Sequence, residues 1–510
     1  MIVPGKIHAD PRPVWSRRFT PSRFPPLTRD LTVDVAIIGA GITGLTAAWQ
    51  LRKAGLKVAV LDLHGVARGA TGHTSGHLTA LPDRPLGALV SAHGIESAEA
   101  AVRAGLEAIA HIRATAEELG APVAFERVPG FRFSETRDGA RALRDETELA
   151  RRLGLDATYT RDVPVPFRVR GALRLDGQAE FDPVAYVEAL AEAVDGPGGA
   201  VFADTRVTEI EDGTTCRVAA PPYSVFARSV IEATHTPLNL NLAVQTRVAP
   251  VTSYVLALRL DEEPPAALLW DDADPYHYLR RAHGLLLAGG ADHKTGQEDD
   301  PESRYAELLA WVRARFTPRA VERRWSFGLF EPADGLPYIG RDPGRERVFL
   351  ASGYAGNGLT FGTIAGLLLS DLVRGRESKW RDLFSPARIK PLASVRDVLR
   401  ENLNVAWHLI ADRLRRDEAD GLPPLAAGEG RILDVDSRKA AVYRDENNRL
   451  HVLSAVCRHA GCVVRWNPAA KTWDCPCHGG RYLPDGRVLC GPPTQDLRRA
   501  PAPDVEDDPV

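Results

Sequence analysis

Cys457-Arg-His459 and, after a gap, Cys475-Pro-Cys477-His478 offer thiolates and two imidazoles from two short segments. A [2Fe–2S] centre in which two histidines replace two cysteines on one iron takes Cys457, His459, Cys475 and His478 as its four ligands. Zinc is the competing reading, since Cys2His2 is also a common zinc set. Zinc usually pairs ligands of one type in each half, C-x2–4-C and then H-x3–5-H, whereas each half here carries one Cys and one His. The mixed halves favour iron and sulfide. Such a centre moves single electrons, so the rest of the chain should supply or consume them.

A second site lies near the start. Gly39-Ala-Gly41-Ile42-Thr43-Gly44 follows the β-branched run Val33–Ile38 and opens a helix expected over about 42–54; Lys57–Leu61 is the next strand. In such a βαβ unit the glycines permit the tight turn, the close approach of a pyrophosphate and helix–strand packing. The helix N-terminus stabilises the phosphates. Asp62, at the end of the second strand, is placed to accept from an adenosine ribose. An acid there disfavours a 2′-phosphate, and both NAD and FAD satisfy it.

The remaining pattern must position these two sites. At 510 residues the chain exceeds a single core, so two or three domains are expected. A net charge of −3 without basic runs argues against nucleic acid. The start lacks the features of a signal peptide, and the apolar stretch 359–373 is short and cut by Asp371, so no transmembrane segment is expected. Five of the six cysteines lie between Cys457 and Cys490, which predicts a cytoplasmic protein with one specialised cluster. Residues 1–30 read as an irregular lead-in. Helices are expected over about 95–118, 137–153 and 359–373, and Asp182-Pro183 is expected to cap a helix reaching Val194. Strands are expected near 199–210, 228–233, 247–290 and 348–352. Residues 391–424 read as an amphipathic connector helix and linker.

Val33-Asp-Val-Ala-Ile-Ile-Gly-Ala-Gly-Ile-Thr-Gly44 resembles the start of FAD-dependent oxidoreductases of the D-amino-acid oxidase and glycine oxidase superfamily. Further resemblance lies in Gly69-Ala-Thr71-Gly72-His73, Gly177–Pro183, Glu232-Ala233-Thr234-His235, Asp334–Gly340 and Gly353–Gly358. It covers about 31–390, and its nearest branch is similar to gamma-glutamylputrescine oxidoreductase. The resemblance implies an α/β FAD-binding domain in segments near 31–110, 181–245 and 325–385, with an inserted α+β substrate domain (111–180, 246–324). Val207, Ala233 and Thr234 join the FAD site, and Gly356, Asn357, Gly358 and Leu359 lie against the flavin. His73 stands where dimethylglycine and sarcosine dehydrogenases link their flavin; a histidine hydrogen-bonded to flavin or backbone is the preferred reading. Tyr276, Tyr278 and Arg280 lie in the expected substrate segment, and no catalytic base is named.

Residues 425–505 resemble a small all-β Rieske domain of the cytochrome bc type, which implies a disulfide between Cys462 and Cys477 and a covering loop at Gly491-Pro-Pro493. Cys490 reads as a packed thiol. Where the bc-type pattern has Gly-Ser-x-Tyr, this chain has Gly479-Gly480-Arg481-Tyr482. The missing hydroxyl predicts a potential below the top of the roughly −150 to +300 mV Rieske range, raised by serine at Gly480.

Joined, the two sites predict a dehydrogenase that oxidises an amine or amino-acid-like substrate and sends electrons from FAD through the cluster to an external acceptor. The alternatives are an NAD(P)H-driven reductase feeding an oxygenase and a non-catalytic redox module. Such reductases carry a second G-x-G-x-x-G, and none is found.

Overall fold

The continuous apolar run that begins the chain's first strand becomes the centre of a parallel sheet. A computed structural model describes residues 9–18, 22–238, 241–388, 425–435 and 438–500, and the connector expected at 391–424 lies outside them. Leu31–Ile38 pairs in parallel with Val58–Leu61 on one side and Tyr223–Glu232 on the other. Gly199–Phe202 and Val348–Ser352 extend the sheet in parallel, and Tyr338–Arg341 closes an edge antiparallel. Helices Ile42–Lys53, Ile95–Glu118, Pro183–Val194 and Gly358–Val373 contribute buried apolar faces to the same core. Asp182 accepts from the Val184 and Ala185 N–H groups at 3.0 and 2.9 Å, the expected cap.

A second sheet of nine strands stands beside it. Its order runs from Pro318–Pro332 through Val248–Leu260, Leu285–Lys294, Tyr278–Ala282, Leu268–Asp271, Glu126–Ser134 and Gly171–Glu180 to His77–Leu78, and the ninth strand, Ala157–Thr160, pairs with Gly171–Glu180 off this path. Pro318–Pro332 runs through the boundary expected at 324, and His77–Leu78 joins this sheet from a nucleotide-binding segment. The two layers are therefore tied by shared chain. The lead-in is also anchored: Trp15 is buried and its indole N–H donates to Thr74 O at 2.7 Å.

The C-terminal part is all β, a three-stranded and a four-stranded sheet. Trp473, Tyr482 and the four cysteines 457, 462, 475 and 477 are in its core. It is docked on the rest of the chain. His64 Nε2–H donates to Leu489 O at 2.9 Å, and Arg206 pairs with Asp496 at 2.7 Å. Leu63 packs into the small domain's core. Gly296 admits Pro476, and Gly479 admits Pro250: a Cβ on either would stand 3.0 and 2.7 Å from those prolines. Among the described residues no helix is long and apolar enough to cross a membrane.

Candidate functional site

One elongated cavity runs between the two sheets, and the small domain walls part of it. Its nucleotide end is built by the first βαβ unit. Gly39 has φ +106°, and a Cβ there would stand 2.4 Å from Ala233 O, so only glycine allows the turn to cross the end of strand Tyr223–Glu232. Gly41 precedes the helix and supplies no side-chain cap; the Ile42 N–H donates to Thr71 Oγ1 at 3.1 Å, and the N–H of Thr43 next to it stands at the cavity. Asp62 accepts from the backbone N–H groups of Ala40, His64 and Gly65 at 2.7–2.9 Å, which fixes its carboxylate on the cavity wall. Thr43 Oγ1 is 3.0 Å from Tyr354 Oη, which ties the first helix to the late glycine-rich turn. The helix at Gly358 likewise begins without a side-chain cap at the cavity. This cradle of glycine, uncapped helix ends and a carboxylate fits FAD.

Thirteen of the sixteen expected FAD-site residues face the cavity: Gly39, Gly41, Ile42, Thr43, Asp62, Thr71, Val207, Ala233, Thr234, Gly356, Asn357, Gly358 and Leu359. Gly44, Gly72 and His73 are not among the residues of its wall. Gly44 serves packing, since a Cβ there would stand 1.9 Å from Gly39 O. His73 Nδ1–H donates to Gly69 O at 2.9 Å, the backbone half of the preferred reading, and its ring feels the charge of Arg481 in the small domain. Arg280 is also absent from the wall. It is on the face of Tyr278, but further along the strand it is buried against Gly76 O and near Trp15.

The substrate end holds groups that sequence reasoning missed. Asp83, Asp292, Ser253 and His77 line it beside the expected Tyr276 and Tyr278. Asp83 accepts from the Gly356 N–H at 3.2 Å and hydrogen-bonds Tyr276. Burial pushes Asp292 up to about 7, opposed by a hydrogen bond from Ser253. Burial holds His77 neutral, down to about 3. No local pattern marks Asp292. It is aimed by a break in strand register between Thr252 and Tyr254, where Gly290 and Ala291 both have positive φ.

In the small domain the four expected ligands form two pairs, Cys457 with Cys475 and His459 with His478. The Cys457 and Cys475 thiols hydrogen-bond each other, which lowers Cys457 and raises Cys475. The His459 and His478 rings meet edge to face with centroids 4.9 Å apart. His478 Nδ1 is buried without a hydrogen-bond partner, as a metal-binding nitrogen would be before its metal arrives. Two thiolates and two imidazoles so arranged fit the Rieske cluster. Cys462 and Cys477 form the disulfide, and the Cys475 sulfur is within 4.8 Å of both. Those bonded sulfurs are not ligands. Cys490 is pushed up to about 11 by burial and packs near Gly479 O at 3.9 Å.

The expectation for Gly480 needs revision. A Cβ there would stand 2.6 Å from Pro493 Cδ, so a serine would displace the covering loop before offering a hydrogen bond. The available donor is Tyr482, whose Oη is 3.3 Å from Cys457 Sγ. Tyr482→Phe is therefore the cleaner change. It should lower the cluster potential by about 40 mV, the one-electron equivalent of a hydrogen bond worth about 1 kcal/mol. Redox titration of the cluster signal measures it, and an unchanged potential would remove Tyr482 from this role.

Fold and site together define a flavoprotein oxidoreductase joined to an iron–sulfur domain. The chain belongs to the FAD dependent oxidoreductase family, whose model matches residues 34–372, and residues 421–501 match the Rieske [2Fe-2S] domain. Its cofactors are accordingly FAD and a [2Fe–2S] cluster. It is similar along almost its whole length to YhfW of Bacillus subtilis, named as a Rieske 2Fe-2S iron-sulfur protein: 29% identical, covering 96% of this chain and 97% of that one. Gamma-glutamylputrescine oxidoreductase of Escherichia coli is 26% identical over 77% of this chain and 95% of its own. Glycine oxidase from Geobacillus kaustophilus shares the fold, with a TM-score of 0.60 at 22% identity, covering 70% of this chain and 99% of that one.

Proposed function

We propose that the protein is a dehydrogenase. It oxidises an amine or amino-acid-like substrate, and the electrons leave through the Rieske domain to an acceptor outside the chain. FAD supplies two-electron chemistry at the substrate and the cluster supplies single-electron steps. The observation that carries the reading is the shared cavity: Val488–Cys490, Gly491, Pro493 and Thr494 of the Rieske domain line the same space as Gly39, Thr43 and Asp62. A direct oxidase has no use for such a relay. Within this reading the glycine turn and the two helix N-termini hold FAD, while Cys457, His459, Cys475 and His478 hold the cluster. Tyr276, Tyr278 and Phe327 help keep water from the substrate end. The names borne by YhfW and gamma-glutamylputrescine oxidoreductase support a redox protein of this kind.

The test is an anaerobic screen of amines and amino acids against the oxidised protein. Bleaching of the flavin, followed by the EPR signal of the reduced cluster, is the expected order. Bleaching by NADH alone would instead favour the reductase, and turnover with no amine would favour the redox module.

A further inference from the structure

The cavity's charges bear on which substrate it takes. Among the described lining residues the only arginines or lysines are Arg132 and Arg206. Arg132 Nη1 is 3.0 Å from both oxygens of Glu146, and Arg206 pairs with Asp496 at 2.7 Å, so each is already countered. His77 and His235 are held neutral by burial, down to about 3 and about 4. A substrate carboxylate would find no uncompensated cation at the inner end.

The acids differ. Asp292 lines the cavity, and Ser253 hydrogen-bonds its carboxyl group, while its Oδ1 is buried without a hydrogen-bond partner. Asp83 is close enough for its charge to act on Asp292, and both act on Tyr276. The tyrosine rings 276 and 278 stand 6.0 Å apart beside them, and Phe327 and Trp270 complete an aromatic wall. A carboxylate on the wall of an aromatic box is complementary to an ammonium group.

Resting on the oxidoreductase reading above, we propose that the substrate is a cationic amine that carries no carboxylate, with Asp292 as the group that binds its ammonium. Asp83 and Tyr276 form the second half of the clamp. Amino acids, whose carboxylate would face Asp83 and Asp292, are rejected.

The test is binding to the oxidised holoprotein, read by perturbation of the flavin spectrum, with four probes. These are cadaverine, n-pentylamine, δ-aminovalerate and glycine. The two amines should bind more tightly than either carboxylate-bearing probe, on the order of tenfold or more, as for a charged hydrogen bond gained or lost. Asp292→Asn should abolish that preference, and Asp83→Asn should reduce it. If Asp292→Asn fails to fold, the wild-type preference and Asp83→Asn still decide. Equal or tighter binding of δ-aminovalerate or glycine, which Arg132 with its unpartnered Nε would then explain, overturns the proposal. The two readings fail separately. Amine binding that depends on Asp292 but never reduces the flavin under anaerobic conditions would remove the oxidoreductase reading alone. Reduction by glycine and not by the amines would remove this proposal alone.

Discussion

Cys457→Ala should yield a protein that retains its flavin and has lost the Rieske EPR signal. It should still be bleached by substrate, and it should fail to reduce a protein acceptor such as cytochrome c. Cys457 is buried in the small domain's core, where it meets Cys475 and Tyr482. Removing one thiolate takes away a quarter of the ligands, and a site of this kind has little affinity for a cluster held by three. The loss should be essentially complete. The FAD cradle is built by other elements: the turn at Gly39, the carboxylate of Asp62 and the helix at Gly358 belong to the first sheet and its connections. Flavin content and the anaerobic bleaching rate should therefore stay within about twofold of the parent, the scatter expected of a change distant from the chemistry. A protein acceptor is the necessary readout, because a small oxidant could enter the cavity and take electrons there. Unimpaired cytochrome c reduction by the variant would sink the relay.

The parts of the site legible in the sequence are those whose chemistry is local. Gly39 and Gly44 are needed because a side chain would strike backbone within the same βαβ unit or the adjoining strand end. Cys457 to His459 and Cys475 to His478 are legible because each ligand pair spans a single turn. Asp83, Ser253 and Asp292 are not. They converge through pairings between distant segments: Thr252 opposite His293, His77 opposite Glu180, and Gly356 reaching back to Asp83. A single carboxylate in Gly289-Gly-Ala-Asp292 has no signature until a bulge turns it inward.

The packing role of Arg280, the favoured reading for that residue, is set by a distant segment. It shares a strand face with Tyr278, but the lead-in residue Trp15 stands against it, with the guanidinium 5.6 Å from the indole ring. The irregular first segment gave no periodicity from which to place it. His73 is similar: its neighbourhood is set partly by Arg481, over four hundred residues away in sequence. Motif resemblance located the segment but not the direction of its side chains.

Gly44→Ala should produce the opposite lesion, a protein with its cluster and without FAD. A Cβ at Gly44 would stand 1.9 Å from Gly39 O and 3.2 Å from Ile37 Cγ2, and neither a backbone carbonyl nor a strand side chain at 0% exposure can retreat. The helix Ile42–Lys53 must then shift off the strand, carrying with it the N–H groups at Ile42 and Thr43. Overpacking of this kind costs roughly 1–3 kcal/mol. Spent wholly on the cradle, the upper figure weakens FAD binding on the order of a hundredfold. Flavin absorbance per chain measures this, and Gly87→Ala, whose Cβ meets nothing within 4 Å, is the matched control. The cluster signal should persist, since its ligands lie in loops between strands of the small domain. Full flavin occupancy in Gly44→Ala would show that the first helix does not need this close approach. The two lesions also test the docking. Held by His64, Arg206 and the proline contacts at Gly296 and Gly479, each Rieske domain faces the cavity of its own chain. A mixture of Cys457→Ala and Gly44→Ala proteins should therefore remain unable to reduce cytochrome c, although together they contain every component of the relay.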